Sequence, residues 1–128
     1  MKNSGPTVYV IQAPRQTSNG VGVDLTSAND FGQIEFILPS YAQPSLDPEG
    51  AMRDLRRAFE NFGPEDYVAS VGGDPAAIFL AGLVLPEFFS GEIRWLRWER
   101  RRDVKGNRDG TGYYLPTKIP YFEEEDAA

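Results

Sequence analysis

Asp66-Tyr67-Val68-Ala69-Ser70-Val71-Gly72-Gly73-Asp74-Pro75-Ala76-Ala77-Ile78-Phe79-Leu80-Ala81-Gly82-Leu83-Val84-Leu85 carries the reading of the fold; continued to Gly91, it reads as strand, tight turn, buried helix and loop. Tyr67 to Val71 is rich in β-formers. Gly72-Gly73 breaks the run. Asp74-Pro75 then opens a helix, Asp74 as the cap and Pro75 at the first helical position, where its missing N–H costs nothing. From Ala76 to Leu85 the helix is apolar on every side. It is too short to span a bilayer, which needs about 20 apolar residues, so no membrane association is expected. A helix without a polar face must be covered all round. The expectation is therefore a core helix, the most buried in the chain, with Leu80 and Leu83 both inside it.

Towards the N-terminus, Asp47-Pro48 repeats the same helix start. Met52, Leu55, Phe59 and Phe62 recur at helical spacing behind it, with Arg53, Asp54, Arg56, Arg57 and Glu60 on the other face. Gly63 suits the left-handed position that closes a helix, and Pro64 prevents continuation. Gln33 to Leu38 alternates only in part, as a strand near a sheet edge does. Leu25 to Phe31 suggests a short helix capped by Thr26 or Ser27 and closed by Gly32. Val8-Tyr9-Val10-Ile11 is a continuous apolar run, as expected of a strand buried on both faces.

Towards the C-terminus, Glu92 to Glu99 reads as a strand with Ile93 and Trp95 on one face and Leu96 and Trp98 on the other. Asp103 to Gly112 is dense in turn residues. Tyr113 to Tyr121 is a final strand, and Pro116 and Pro120 place it at an edge. Strands alternating with helices imply an α/β fold: a mostly parallel sheet of about five strands, helices packed on it, and a C-terminal antiparallel hairpin. Residues 1–122 form one domain, and Glu123-Glu124-Glu125-Asp126 begins an acidic tail at 123–128.

The chain has 128 residues, no cysteine and no histidine, and a net charge of −6. That removes disulfides, thiolate metal sites, Cys nucleophiles, the commonest general base and the usual partner of a catalytic serine. No catalytic residue, metal site or cofactor is expected. The first residues lack the apolar core of a signal peptide, which favours a soluble intracellular protein.

Three constellations remain. Gly72, Gly73 and Asp74 lie between a strand end and a helix start, where α/β proteins bind ligands and where anions are favoured. Asp74 supplies its own carboxylate there, no phosphate-binding lysine comes after it, and a structural turn is the plainer reading; the fragment Gly20-Val21-Gly22 is read in the same way. Asn107-Arg108-Asp109-Gly110 lacks calcium-loop spacing and reads as a hairpin turn. The third constellation is basic: Arg94, Arg97, Arg100, Arg101, Arg102, Lys105 and Arg108, interleaved with Trp95 and Trp98. Arg and Trp bind single-stranded nucleic acid by phosphate contact and stacking, and they also dominate protein–protein hot spots. The plainer alternative buries both tryptophans in the core.

Val8-Tyr9-Val10-Ile11-Gln12, Asp30-Phe31-Gly32, Asp66-Tyr67, Gly73-Asp74-Pro75-Ala76-Ala77-Ile78 and Leu96-Arg97-Trp98-Glu99-Arg100 together resemble small uncharacterised proteins encoded in tailed-phage genomes. The resemblance implies a bacterial-cytoplasm setting and an accessory role, and it names no reaction. The leading expectation is a non-enzymatic interaction protein that binds a host or phage protein. The alternatives are a single-stranded nucleic-acid binder using 94–108, and a nucleotide- or phosphate-binding enzyme at Gly72 to Asp74.

Overall fold

The computed structural model describes residues 5–15, 25–102, 105 and 108–120, with the backbone alone for 100–102 and 108–111. Five strands form one sheet: β1 (Thr7–Gln12), β2 (Gln33–Leu38), β3 (Tyr67–Ala69), β4 (Ile93–Arg102) and β5 (Arg108–Ile119). Their order is β2-β1-β3-β4-β5. Strands β1 to β4 run parallel, and β5 returns antiparallel to β4. Helix α1 (Pro48–Phe59) joins β2 to β3, and α2 (Pro75–Val84) joins β3 to β4. Among the described residues no helix is long and apolar enough to cross a membrane.

The strand order accounts for the placement of the helices. Crossovers of a single hand put connections that advance in the same direction on the same face of the sheet. The passages from β2 to β3 and from β3 to β4 advance in one direction; β1 to β2 goes the other way. Accordingly, Leu55 and Phe59 of α1 and Leu80 and Val84 of α2 share one core with Tyr9, Ile11 and Val68. The opposite face holds Val8, Val10, Ala69, Leu96 and Tyr114, covered by Leu25, Ala28 and Phe31 from the β1–β2 connection. Alternation along β1 feeds both cores, so Val8 to Gln12 is buried throughout.

Several expectations are corrected. Helix α2 is not covered all round. Its inner arc of Ala77, Leu80, Ala81 and Val84 is buried, whereas Phe79 is 69% exposed, Leu83 52% and Ile78 44%. Among the described residues α1 is the one long helix that packs beside it on this face, and a ten-residue helix turns half its circumference outward. Leu83 is therefore not a core residue, although α2 keeps the larger buried share, four of its ten residues against four of twelve in α1. The helix expected over Leu25 to Phe31 is only a 3-10 turn, Ala28–Asp30. Ser27 makes no cap there; its hydroxyl instead accepts from the Tyr114 N–H at 2.8 Å. Gly63 does not adopt the left-handed conformation; its N–H donates to Asp66 Oδ2 at 2.8 Å. Gly32 is required by close approach, since a Cβ would lie 2.5 Å from the Pro6 carbonyl oxygen. The hairpin is longer than its turn residues suggest, because Asp109 to Gly112 belong to β5.

Candidate functional site

Strand β3 is three residues long and pairs only with Arg94, Trp95 and Leu96 of β4. Beyond Leu96, β4 runs on for six residues with β5 as its sole partner among the described residues. At the usual rise per residue this two-stranded ribbon runs about 20 Å past Leu96, and its first part, to Trp98 and Tyr114, still packs on the second core. Arg97 faces Leu115, Arg100 faces Gly112 and Arg102 faces Arg108, with a register shift between Arg100 and Arg102. The ribbon is also where the charge separates. Residues 94–108 hold seven of the thirteen cations and two of the nineteen acids, a net of +5, so the rest of the chain carries −11.

The basic residues occupy different stations. The Arg94 guanidinium lies 5.6 Å from the Tyr67 ring centre, at the ribbon's base. Arg97 is paired with Glu99 two residues along, on the same side of the strand. Lys105 is exposed in the turn. Arg100, Arg101, Arg102 and Arg108 are placed by the backbone, and their side chains lie outside the described residues. So do Gly20, Gly22, Asn107 and the tail from Glu123 to Asp126. Trp98 packs edge-on against Tyr114, ring centres 5.0 Å apart. A Cβ on Gly112 would lie 2.4 Å from Trp98 Cζ2, so the indole needs a glycine opposite it. Trp95 points to the other face, beside α2.

At their carboxyl ends, β1 leads to β2 on one side and β3 leads through α2 to β4 on the other, the usual crevice of an open α/β sheet. Gly72 and Gly73 turn there with φ of 118° and 98°. Gln12, 2% exposed, fills the crevice. Its Nε2 donates to the carbonyls of Ala42 and Pro39 at 2.8 and 3.2 Å, and its Oε1 accepts from the Asp74 N–H at 2.9 Å. A Cβ on Gly73 would meet that Oε1 at 2.3 Å. Asp74 caps α2 as expected, accepting from the Ala76 N–H at 3.0 Å. Its other oxygen accepts the Ser45 N–H at 2.9 Å and the Ser45 hydroxyl. These bonds, the Ser45 hydroxyl first, hold the Asp74 carboxyl below its ordinary range. Sequence reasoning missed Gln12; its signal was a polar residue closing a buried apolar strand.

The outward face of α2 borders an apolar groove of about 300 Å³, walled by Ile78, Gly82, Pro86, Trp95, Ile119 and Pro120. It exists because α2 packs over Ile11 of β1 and Val68 of β3 while β4 and β5 continue the sheet sideways with no helix above them among the described residues. Sequence reasoning missed this surface as well, because a uniformly apolar helix does not reveal which side is left uncovered.

Residues 6–105 match the family described as Phage Pam3 gp32-like protein. The chain belongs to that family. The matched region takes in β1 to β4 and both helices, and ends in the hairpin turn before β5. The resemblance to small tailed-phage proteins is thereby borne out. No curated protein and no solved structure matches the chain.

Proposed function

We propose that this member of the Phage Pam3 gp32-like family is a non-enzymatic accessory protein that acts in the bacterial host cytoplasm by binding a host or phage protein. The basic ribbon of β4 and β5 is the recognition element, and its partner presents an acidic surface. The observation that carries this reading is the ribbon itself: a projecting hairpin whose residues 94–108 carry a net charge of +5 in a chain whose remaining residues sum to −11. Such a dipole steers an acidic patch to the ribbon while the body repels it elsewhere.

Single-stranded nucleic acid on the same arginines is the second reading, favoured by the density of cations along the ribbon. Two features weigh towards protein. Trp98 is committed to Tyr114 and Gly112, which withdraws a stacking platform. The acidic body would also repel a phosphate chain longer than the ribbon. The third reading, a nucleotide or phosphate at Gly72 to Asp74, would have to displace or tolerate the Asp74 carboxylate already bonded to Ser45 and Ala76.

Cross-linking in phage-infected cells, comparing the native chain with Arg97→Glu/Arg101→Glu, tests the leading reading. The expected result is a specific protein adduct that the charge reversal abolishes. Binding of single-stranded DNA or RNA at low ionic strength, falling with salt at about −0.7 per phosphate contacted, would overturn it in favour of nucleic acid. A nucleotide that raises the unfolding midpoint of the native chain, and no longer does so in Asp74→Asn, would favour the third.

A further inference from the structure

We infer that the outward face of α2 is a homodimer contact, in which two copies of this chain cross helix on helix about a two-fold axis near Gly82. This surface is separate from the basic ribbon. The inference rests on composition, shape, area and charge. No residue of α2 carries a polar side chain, and Ile78, Phe79, Gly82 and Leu83 turn outward together. An occupant gains neither hydrogen bonds nor ion pairs from such a face, so it must itself be apolar there. A second copy presents the same apolar face, as a two-fold contact requires.

Shape selects the axis. A Cβ added at Gly82 would meet nothing within 4 Å, so the middle of the exposed face is a hollow flanked by Phe79 and Leu83. In an antiparallel crossing centred on Gly82, Phe79 of one copy lies beside Leu85 and Pro86 of the other. Those residues line the 300 Å³ groove, which is roomy enough for a phenyl ring. The contact is reciprocal, so the two-fold axis fills both grooves at once.

The exposed apolar side chains amount to an area on the order of 400 Å² per copy, as large as the patches that mark functional surfaces on monomers. Burying two such patches with their rims approaches the lower limit of specific interfaces, about 1,200 Å² in total. The dimer should therefore be reversible and concentration-dependent. Among the described residues, charge does not oppose it locally. On the flanks Arg56 is paired with Glu87 at 3.1 Å and Lys118 lies 3.8 Å from Glu92, so each side of the face offers both signs.

Sedimentation over a range from low to high micromolar concentration tests the contact. The native chain should move from the mass of one chain to that of two. Raising salt should preserve or increase the dimer, since it screens repulsion between two copies of net charge −6 and leaves an apolar contact intact. Phe79→Glu should remain monomeric throughout with an unchanged circular dichroism spectrum. Because the chain has no cysteine, Gly82→Cys introduces a lone thiol on the axis, and mild oxidation should cross-link it faster than Glu65→Cys. A single-chain mass at every concentration, a dimer that survives Phe79→Glu or dissolves in salt, or equal cross-linking at Glu65 and Gly82 would each overturn the inference. A monomer that uses Phe79 to hold a different protein would overturn it as well.

Discussion

Gln12 ties the end of β1 and the start of α2 to the loop from Pro39 to Ala42, just past the last β1–β2 pairing at Leu38. Replacing it by the similarly sized Leu would leave the Asp74 N–H and the Ala42 carbonyl without their partner, while the Pro39 carbonyl keeps the Ala42 N–H at 3.1 Å. Each buried group left unpaired costs about 1–3 kcal/mol, so Gln12→Leu should lower the denaturant midpoint although it adds apolar surface. An unchanged midpoint would mean that water replaces the amide. Tyr9 offers a second test. It is packed against the Phe59 and Phe62 rings. Burial, and then the Asp66 and Glu35 carboxylates, push its hydroxyl up to about 12 from 10.0. The folded state thus holds the proton more tightly than the unfolded one. Its contribution to stability is complete below pH 10 and is lost as pH rises through 12. In an ultraviolet titration Tyr9→Phe should remove a late-ionising step.

Two leucines on α2, three residues apart, separate burial from apolarity. Leu80 is 8% exposed and Leu83 52%. Leu80→Ala should cost about 2–5 kcal/mol through lost burial and a cavity. Leu83→Ala should change the stability of the dilute monomer by no more than about 0.5 kcal/mol. Equal losses at both positions would mean that α2 is enclosed. The same helix marks how far the sequence could be read. Its start was legible because Asp74-Pro75 is a local signal, and so was that of α1 at Asp47, whose side chain accepts from the Gly50 N–H at 3.1 Å. The edge position of β5 followed from Pro116, and the two faces of β4 from the alternation of Ile93, Trp95, Leu96 and Trp98. The uncovered side of α2 was not legible. It depends on how far β4 and β5 extend beyond the helix above them, a relation between elements distant in the chain. The length of the ribbon was hidden for a different reason. Gly110 and Gly112 look like turn residues, yet Gly112 is a glycine because Trp98 lies across it.

At the scale of the molecule, the ribbon should be separable from the body. Strand β3 stops at Ala69, level with Leu96, so nothing in the sheet beyond that point leans on the outer ribbon. Among the described side chains, the last core contact along the hairpin is Trp98 with Tyr114. Glu99 lies opposite Tyr113, and a two-residue Asn-Gly turn can join a directly opposed pair with the strand twist that such turns favour. Replacing residues 100–112 by Asn-Gly therefore keeps both cores intact. It removes five cations and two acids, taking the net charge from −6 to −9. The shortened chain should unfold cooperatively, close to the native midpoint. Any loss should be confined to the packing of Gly112 under Trp98. An acidic partner held by the ribbon should be lost with it at every salt concentration. In the native chain, by contrast, that binding should weaken progressively as salt screens the arginines. The α2 contact should behave in the opposite way and persist in the shortened chain. If the shortened chain keeps its partner, recognition belongs to the body. If it fails to fold, the outer ribbon is part of the core after all.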